Sequence, residues 1–133
     1  MAIMIRKVVN LIILNSKKEI LLAKRKDRYS GWSIPGGGIE KNESNLKALK
    51  REINEELGCK IKQAVEFKDY EYLVEKDFLI QAKYFYGALS GKIKVKEELS
   101  EYKWVKANQV SRMKFAFNQK QVIKDFVEFY YEN

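Results

Sequence analysis

The chain of 133 residues contains no histidine, one cysteine and one proline. Without histidine, neither a Ser-His-Asp or Cys-His catalytic arrangement nor an HExxH metal centre can be assembled. The single thiol, Cys59, cannot close an internal disulfide or build a Cys/His zinc site. Any general base must therefore be a carboxylate, a lysine, a tyrosine or a metal-held hydroxide. Long apolar runs are missing too. Residues 8–14 fall well short of the roughly 20 residues that cross a bilayer, and they lack the basic start and cleavage site of a secretory signal. That stretch reads as a buried strand, and the chain is expected in the cytoplasm with no membrane partner.

A hydrophobic content of 46% in 133 residues suits one domain, spanning 1–133, around one core. The net charge of +8 favours anionic partners, free nucleotides or a polynucleotide. Lysines are scattered from Lys7 to Lys124 rather than gathered on one element, so nucleic acid is the less favoured partner.

The pattern along the chain alternates strands and helices. Residues 3–14 have the β-branched content of a strand, and 15–18 the polar composition of a turn. A second strand over 19–25 is expected antiparallel to the first. Residues 32–38 read as a short strand running into a glycine loop. Residues 61–74 and 77–89 alternate in hydrophobicity and read as central strands. A short alternating segment follows at 92–96, an acidic loop at 97–101 and a strand at 102–105. A closing helix over 119–131 presents Val122, Ile123, Phe126, Val127 and Tyr130 inward, with Asn118 and Gln121 as a variant capping box.

The most informative stretch is the helix before residue 59. Ser44 suits its N-cap, and Gly58 the left-handed residue that ends it. Leu46, Leu49, Ile53 and Leu57 form an apolar stripe beside Glu52, Glu55 and Glu56, which stand at i, i+3 and i+4 on one face. Like charges at that spacing cost about 0.2–0.5 kcal/mol per pair. A solvated acidic face is one reading; a cation-holding face, with Arg51 neutralising part of the charge and Mg²⁺ the rest, is the other.

The surrounding identities decide between them. Gly37, five residues, Glu43, seven residues, Arg51, Glu52, Ile53, one residue, Glu55, Glu56, one residue and Gly58 resemble, position by position, the signature of the Nudix hydrolases. Trp32, Pro35, Gly36 and Gly37 before them are similar to that family, and Cys59 stands where a branched aliphatic residue is usual. The resemblance implies the Nudix fold: an α/β class, an α/β/α sandwich with a central mixed sheet between the acidic helix and the C-terminal helix. It also implies hydrolysis of a nucleoside diphosphate linked to another group.

Carried over by motif position, Glu52, Glu55 and Glu56 would be metal ligands and catalytic groups, with the carbonyl of Gly36 or Gly37 completing the shell. The ion would be Mg²⁺, with Mn²⁺ a substitute. Arg51, paired with Glu43, would orient the carboxylates. Glu98 resembles the extra glutamate of MutT-type enzymes, and the general base is either Glu98 or a helix glutamate. Arg25 and Arg28 border the implied cleft as phosphate-contacting candidates. Asn118 resembles the asparagine that reads a purine edge. Phe78, Phe115 and Phe117 either stack on a base or pack in the core.

Relatives that cleave ADP-ribose carry a proline where Leu73 and Val74 stand, and diadenosine-polyphosphate relatives a tyrosine near residues 74–76. What remains is similar to the MutT-like nucleoside triphosphate pyrophosphohydrolases. An RNA 5′-end pyrophosphohydrolase and a non-catalytic nucleotide- or RNA-binding module are the alternatives. The resemblance also implies homodimers as an option, although no residue here specifies an interface.

Overall fold

The computed structural model describes residues 2–26, 31–96 and 98–132. In chain order the elements are β1 (Met4–Ile13), β2 (Ile20–Arg25), β3 (Trp32–Ser33), β4 (Gly36–Gly38), α1 (Asn45–Leu57), β5 (Lys60–Glu75), β6 (Phe78–Ser90), β7 (Leu99–Val105), α2 (Ala107–Val110) and α3 (Gln119–Tyr130). Four strands form a mixed sheet in the order β4-β1-β6-β5, in which β1 and β6 run parallel and the outer pairs antiparallel. A smaller antiparallel sheet has the order β3-β2-β7.

The alternation along β1 explains the layers. Val9, Leu11 and Ile13 pack toward α1, against Ala48, Leu49, Ile53 and Leu57. Ile12 points the other way, into a cluster with Tyr84, Val122, Ile123 and Phe126 of β6 and α3. The mixed sheet thus lies between α1 and α3, the sandwich expected from the sequence. Phe126 is fully enclosed and meets the Phe67 ring edge-on at 5.4 Å.

The ends of α1 follow its caps. Ser44 Oγ accepts the Lys47 backbone N–H at 3.2 Å, and Gly58 sits at φ +65° with its N–H on the Asn54 carbonyl. Leu46 departs from the expected stripe: it is 46% exposed, and Ala48 takes its place in the core.

Other expectations change where distant chain segments compete for the same groups. β2 starts antiparallel to β1 through a single bridge, Leu14 to Ile20, then leaves to pair with β7. Residues 92–96 form no strand, because the N–H groups of Lys94 and Lys96 donate to the Leu57 and Glu56 carbonyls. They satisfy acceptors that a helix end leaves open. The capping box at α3 does not form. Asn118 has φ −94° and ψ 15° and makes no capping bond, while Gln121 Nε2 donates to Asp125 Oδ1 at 2.9 Å. The short α2 has no counterpart in the sequence reading. Among the described residues no helix is long and apolar enough to cross a membrane.

Candidate active site

A cleft of about 230 Å³ opens between β4, the C-terminal half of α1 and the α3-facing surface of the mixed sheet. Its acidic wall is Glu52, Glu55, Glu56 and Glu98, and its glycine wall is Gly36, Gly37 and Gly38. Its floor is Val8, Tyr72, Val74, Phe78 and Ile80.

The three helix glutamates occupy three different environments. Glu56 is 4% exposed and accepts the Gly36 N–H at 2.9 Å. Burial pushes its carboxyl up to about 8, and the charges of Glu52 and Glu98 push the same way. Glu52 is half-buried, and burial raises its pKa against the pull of Arg51. Glu55 lies further out, 38% exposed at its side chain.

Arg51 ties this wall together. Its Nε donates to Glu43 Oε2 at 2.7 Å and its Nη2 to Glu43 Oε1 at 2.9 Å, a two-pronged pair. Nη2 also reaches the Gly38 carbonyl at 2.8 Å, and Nη1 reaches Glu52 at 2.8 Å and Glu55 at 3.3 Å. Hydrogen bonds from Arg51 hold the Glu43 carboxyl down to about 2, aided by the Glu40 N–H. Gly37 leaves room for all this: a methyl group there would collide with the Glu52 carboxylate.

The donor set suits a hard divalent cation. Glu56 is a buried carboxylate with other carboxylates beside it, and its charge calls for a positive partner. Among the described residues no three carboxylates are gathered into a ready cage, because Arg51 holds Glu52 and Glu55 while Glu56 turns to Gly36. A cation of this kind would have to draw them away from these partners.

At the cleft rim Arg25 Nη2 meets Glu98 Oε2 at 3.4 Å, and the Arg25 guanidinium lies 5.9 Å from the Phe117 ring. Arg28, the other basic candidate, lies outside the described residues. Asn118 does not line the cleft. Its Oδ1 is buried and takes no hydrogen bond among the described residues, whereas Gln119 beside it does line the cleft. Gln119 Oε1 accepts the Ile34 N–H at 2.9 Å and Nε2 donates to the Tyr84 hydroxyl at 3.1 Å. This one-residue displacement arises because α3 starts at Gln119, whose side chain is drawn into the core contacts of Ile34 and Tyr84. Phe78 and Phe117 are in the lining, while Phe115 packs with the α3 cluster.

Sequence reasoning did not reach Arg6, Asn10, Tyr72 or Gln119 as cleft residues. Arg6, Val8 and Asn10 share a face of β1 at period two, so polar residues at alternating positions in an apolar strand were the available signal. Asn10 is 8% exposed and donates to the Ile34 carbonyl at 3.1 Å.

The NUDIX domain pattern matches residues 4–126. The chain belongs to the NUDIX family. It is a Nudix hydrolase, an enzyme that cleaves pyrophosphate bonds, and members of this family generally need a divalent cation. The chain is 32% identical to an RNA pyrophosphohydrolase of Orientia tsutsugamushi (strain Boryong), over 89% of this chain and 87% of that one. It is also 32% identical to a putative 8-oxo-dGTP diphosphatase of Bacillus subtilis (strain 168), over 86% of this chain and 75% of that one. Among solved structures it resembles one from a study of MutT from Aliivibrio salmonicida and Vibrio cholerae, with a TM-score of 0.82 and 26% identity over 95% of this chain and 99% of the other.

Proposed function

We propose that this Nudix hydrolase is a MutT-like pyrophosphohydrolase of nucleoside triphosphates, releasing a nucleoside monophosphate and pyrophosphate with Mg²⁺ as its cation. The observation that carries the reading is the joining, in one small cleft, of the buried Glu56 carboxylate with an apolar floor of Tyr72, Phe78 and Ile80. The carboxylate side suits phosphates and their cation; the floor suits a base lying flat.

Glu52, Glu55 and Glu56, with a carbonyl of Gly36 or Gly37, are the residues that would hold Mg²⁺. Bound there, the ion would screen the phosphate charge, stabilise the leaving group and acidify water. Arg51, fixed by Glu43 and the Gly38 carbonyl, keeps Glu52 and Glu55 aimed into the cleft. Glu98 on the rim, or a helix glutamate, takes the proton of the attacking water. Arg25, already on Glu98, offers its guanidinium to phosphate oxygens. Arg28 is a second candidate for that contact. Reading of the base falls to the amides at the head of α3, Gln119 in the lining and Asn118 beside it, outside the lining, whose oxygen takes no hydrogen bond among the described residues.

The experiment is a panel of nucleoside triphosphates, 8-oxo-dGTP and 5′-triphosphate RNA, with product analysis that shows which phosphorus is attacked. Release of pyrophosphate from a free nucleotide, with faster turnover than for RNA, is the expected result. No turnover of any member by the Mg²⁺-supplied protein would end the assignment.

One observation favours RNA 5′ ends as the second reading. Lys92, Lys94 and Lys96 are exposed while Ile93 and Val95 between them pack on the core, so the three ammonium groups stand outward on a segment that leads to Glu98 at the cleft. If RNA leaves the cleft along this path, replacing all three lysines by glutamate raises the KM for RNA and leaves that for free nucleotides unchanged. The slope of log affinity against log salt would fall by roughly 0.7 for each phosphate that the variant no longer neutralises. Equal KM values for the variant and the parent on RNA would remove this reading.

A further inference from the structure

Three arginines among the described residues bear on the cleft, and two are already engaged. Arg51 is bonded to Glu43, Glu52, Glu55 and the Gly38 carbonyl, and Arg25 to Glu98. Arg6 is different. It lines the cleft, and its guanidinium makes no hydrogen bond and no ion pair among the described residues.

Its position follows from register. β1 pairs with β4 so that Val8 lies opposite Gly38, and Arg6 is the next residue on the same face, with its guanidinium folded back over Gly38. A methyl group at Gly38 would stand 2.8 Å from Arg6 Nη2. The Nudix signature asks for glycine at Gly37 but not at Gly38, so the third glycine of the run has a local reason: it makes the seat for this side chain. On its other side Arg6 pairs with Ile80 of β6, which pairs with Tyr72 of β5. Arg6, Arg25 and Tyr72 all line the cleft, and burial raises the Tyr72 hydroxyl against the smaller pull of the two positive charges.

Arg6 therefore stands at the seam between the apolar floor and the glycine and carboxylate wall. A substrate with its base on the floor and its pyrophosphate at the carboxylates must cross this seam with the phosphate attached to the sugar. Resting on the reading proposed above, we infer that Arg6 is a substrate-binding residue whose guanidinium holds the nucleoside-side phosphate, the one retained in the monophosphate product. A forked donor with no partner among the described residues suits two oxygens of one phosphate.

The test compares three probes that divide the substrate: a nucleoside monophosphate, inorganic pyrophosphate and the free nucleoside. Binding is measured by calorimetry and by inhibition of turnover, for the parent protein, Arg6→Ala, Arg6→Lys and Gly38→Ala. Arg6→Ala is expected to weaken the monophosphate about tenfold and to leave pyrophosphate and nucleoside within twofold. Arg6→Lys should lie between, because it keeps charge but loses the fork. Gly38→Ala displaces the guanidinium without removing it, and should reproduce the loss. Weakening of pyrophosphate instead would put Arg6 on the leaving group, weakening of the nucleoside would put it on the base, and no change would leave it idle; each of these overturns the inference. Monophosphate binding that depends on Arg6 in a protein that hydrolyses no nucleotide would instead sink the proposed activity and keep Arg6 in its role.

Discussion

Glu56→Gln is expected to lose at least 10²–10³-fold in turnover, the scale seen when one preorganised electrostatic group is removed, and yet to raise the melting temperature of the metal-free protein. The two effects have one cause. The cleft encloses Glu56 almost completely, so without a cation its ionised form is disfavoured and its carboxyl is pushed up to about 8 from the usual 4.5. In the unfolded chain the same group ionises near 4.5. Between these values the folded state binds more protons than the unfolded one, so stability falls as pH rises from about 4.5 to about 8 and levels off above. At pH 7 the loss is on the order of 3 kcal/mol.

Glutamine keeps the shape and still offers an oxygen to the Gly36 N–H, but it has no charge to lose. In a domain of this size the gain corresponds to a shift of several degrees in melting temperature. Thermal unfolding of the EDTA-treated proteins across pH 5 to 8 checks this: the two curves should meet near the acid end and separate as pH rises. If Glu56 holds the cation as proposed, cation and proton compete for one carboxylate, and Mg²⁺ should stabilise the parent protein increasingly toward pH 8 and do little for Glu56→Gln. A variant less stable than its parent at pH 8 without metal would show that Glu56 is not the strained group.

Arg51→Ala is the second change with a large expected effect, and here activity and stability fall together. The arginine is 23% exposed at its side chain and connects α1, the Gly38 carbonyl and the loop carrying Glu43. Its removal leaves Glu43 without its main partner and lets Glu52 and Glu55 repel each other freely. Positioning groups around a metal site are typically worth about 10–100-fold, and hydrogen bonds to charged partners about 1.5–3 kcal/mol. We expect a loss near the upper end in kcat/KM and a destabilisation of about 2 kcal/mol, discounted for the exposed part of the site. Arg51→Lys should recover little of either, because an ammonium cannot span Glu43, Glu52 and the carbonyl at once.

Glu43→Ala should resemble Arg51→Ala, and the double variant should cost scarcely more than either single one, the signature of groups acting as a unit. The pH dependence has the opposite sign to that of Glu56. Arg51 depresses the Glu43 pKa, so the contribution of the pair is present above about 4.5 and is lost as pH falls toward about 2. Denaturant titrations of the parent and Arg51→Ala should therefore converge in acid. Additive losses in the double variant would contradict the unit.

Much of the site could be read from sequence because it is built from one helix and the strand before it. A period of 3.6 residues puts Glu52, Glu55 and Glu56 on one face whatever surrounds them, and Ser44 and Gly58 set the helix ends through bonds to neighbours in the chain. The spacing from Gly37 to Gly58 carries the family with it, and with the family come the sandwich and the class of chemistry. Arg51 and Glu43, eight residues apart, were also within reach of that pattern.

The rest depended on which distant segments meet. Three glutamates identical in chemistry become one enclosed, one half-buried and one further out, because β4 lies against two of them, Gly36 bonding Glu56 and Gly37 lying close against the Glu52 carboxylate. Arg6 enters the cleft only through the pairing of β1 with β4 and β6, and Gln119 displaces Asn118 from the lining because Ile34 and Tyr84 claim its amide. The lysines at 92, 94 and 96 align because the end of α1, rather than a neighbouring strand, takes the backbone N–H groups of Lys94 and Lys96. Helix phase and end caps are properties of nearest neighbours along the chain and are written in it. Desolvation and charge proximity are set by atoms dozens of residues away, and they took their values only when the two sheets and two long helices closed around the cleft.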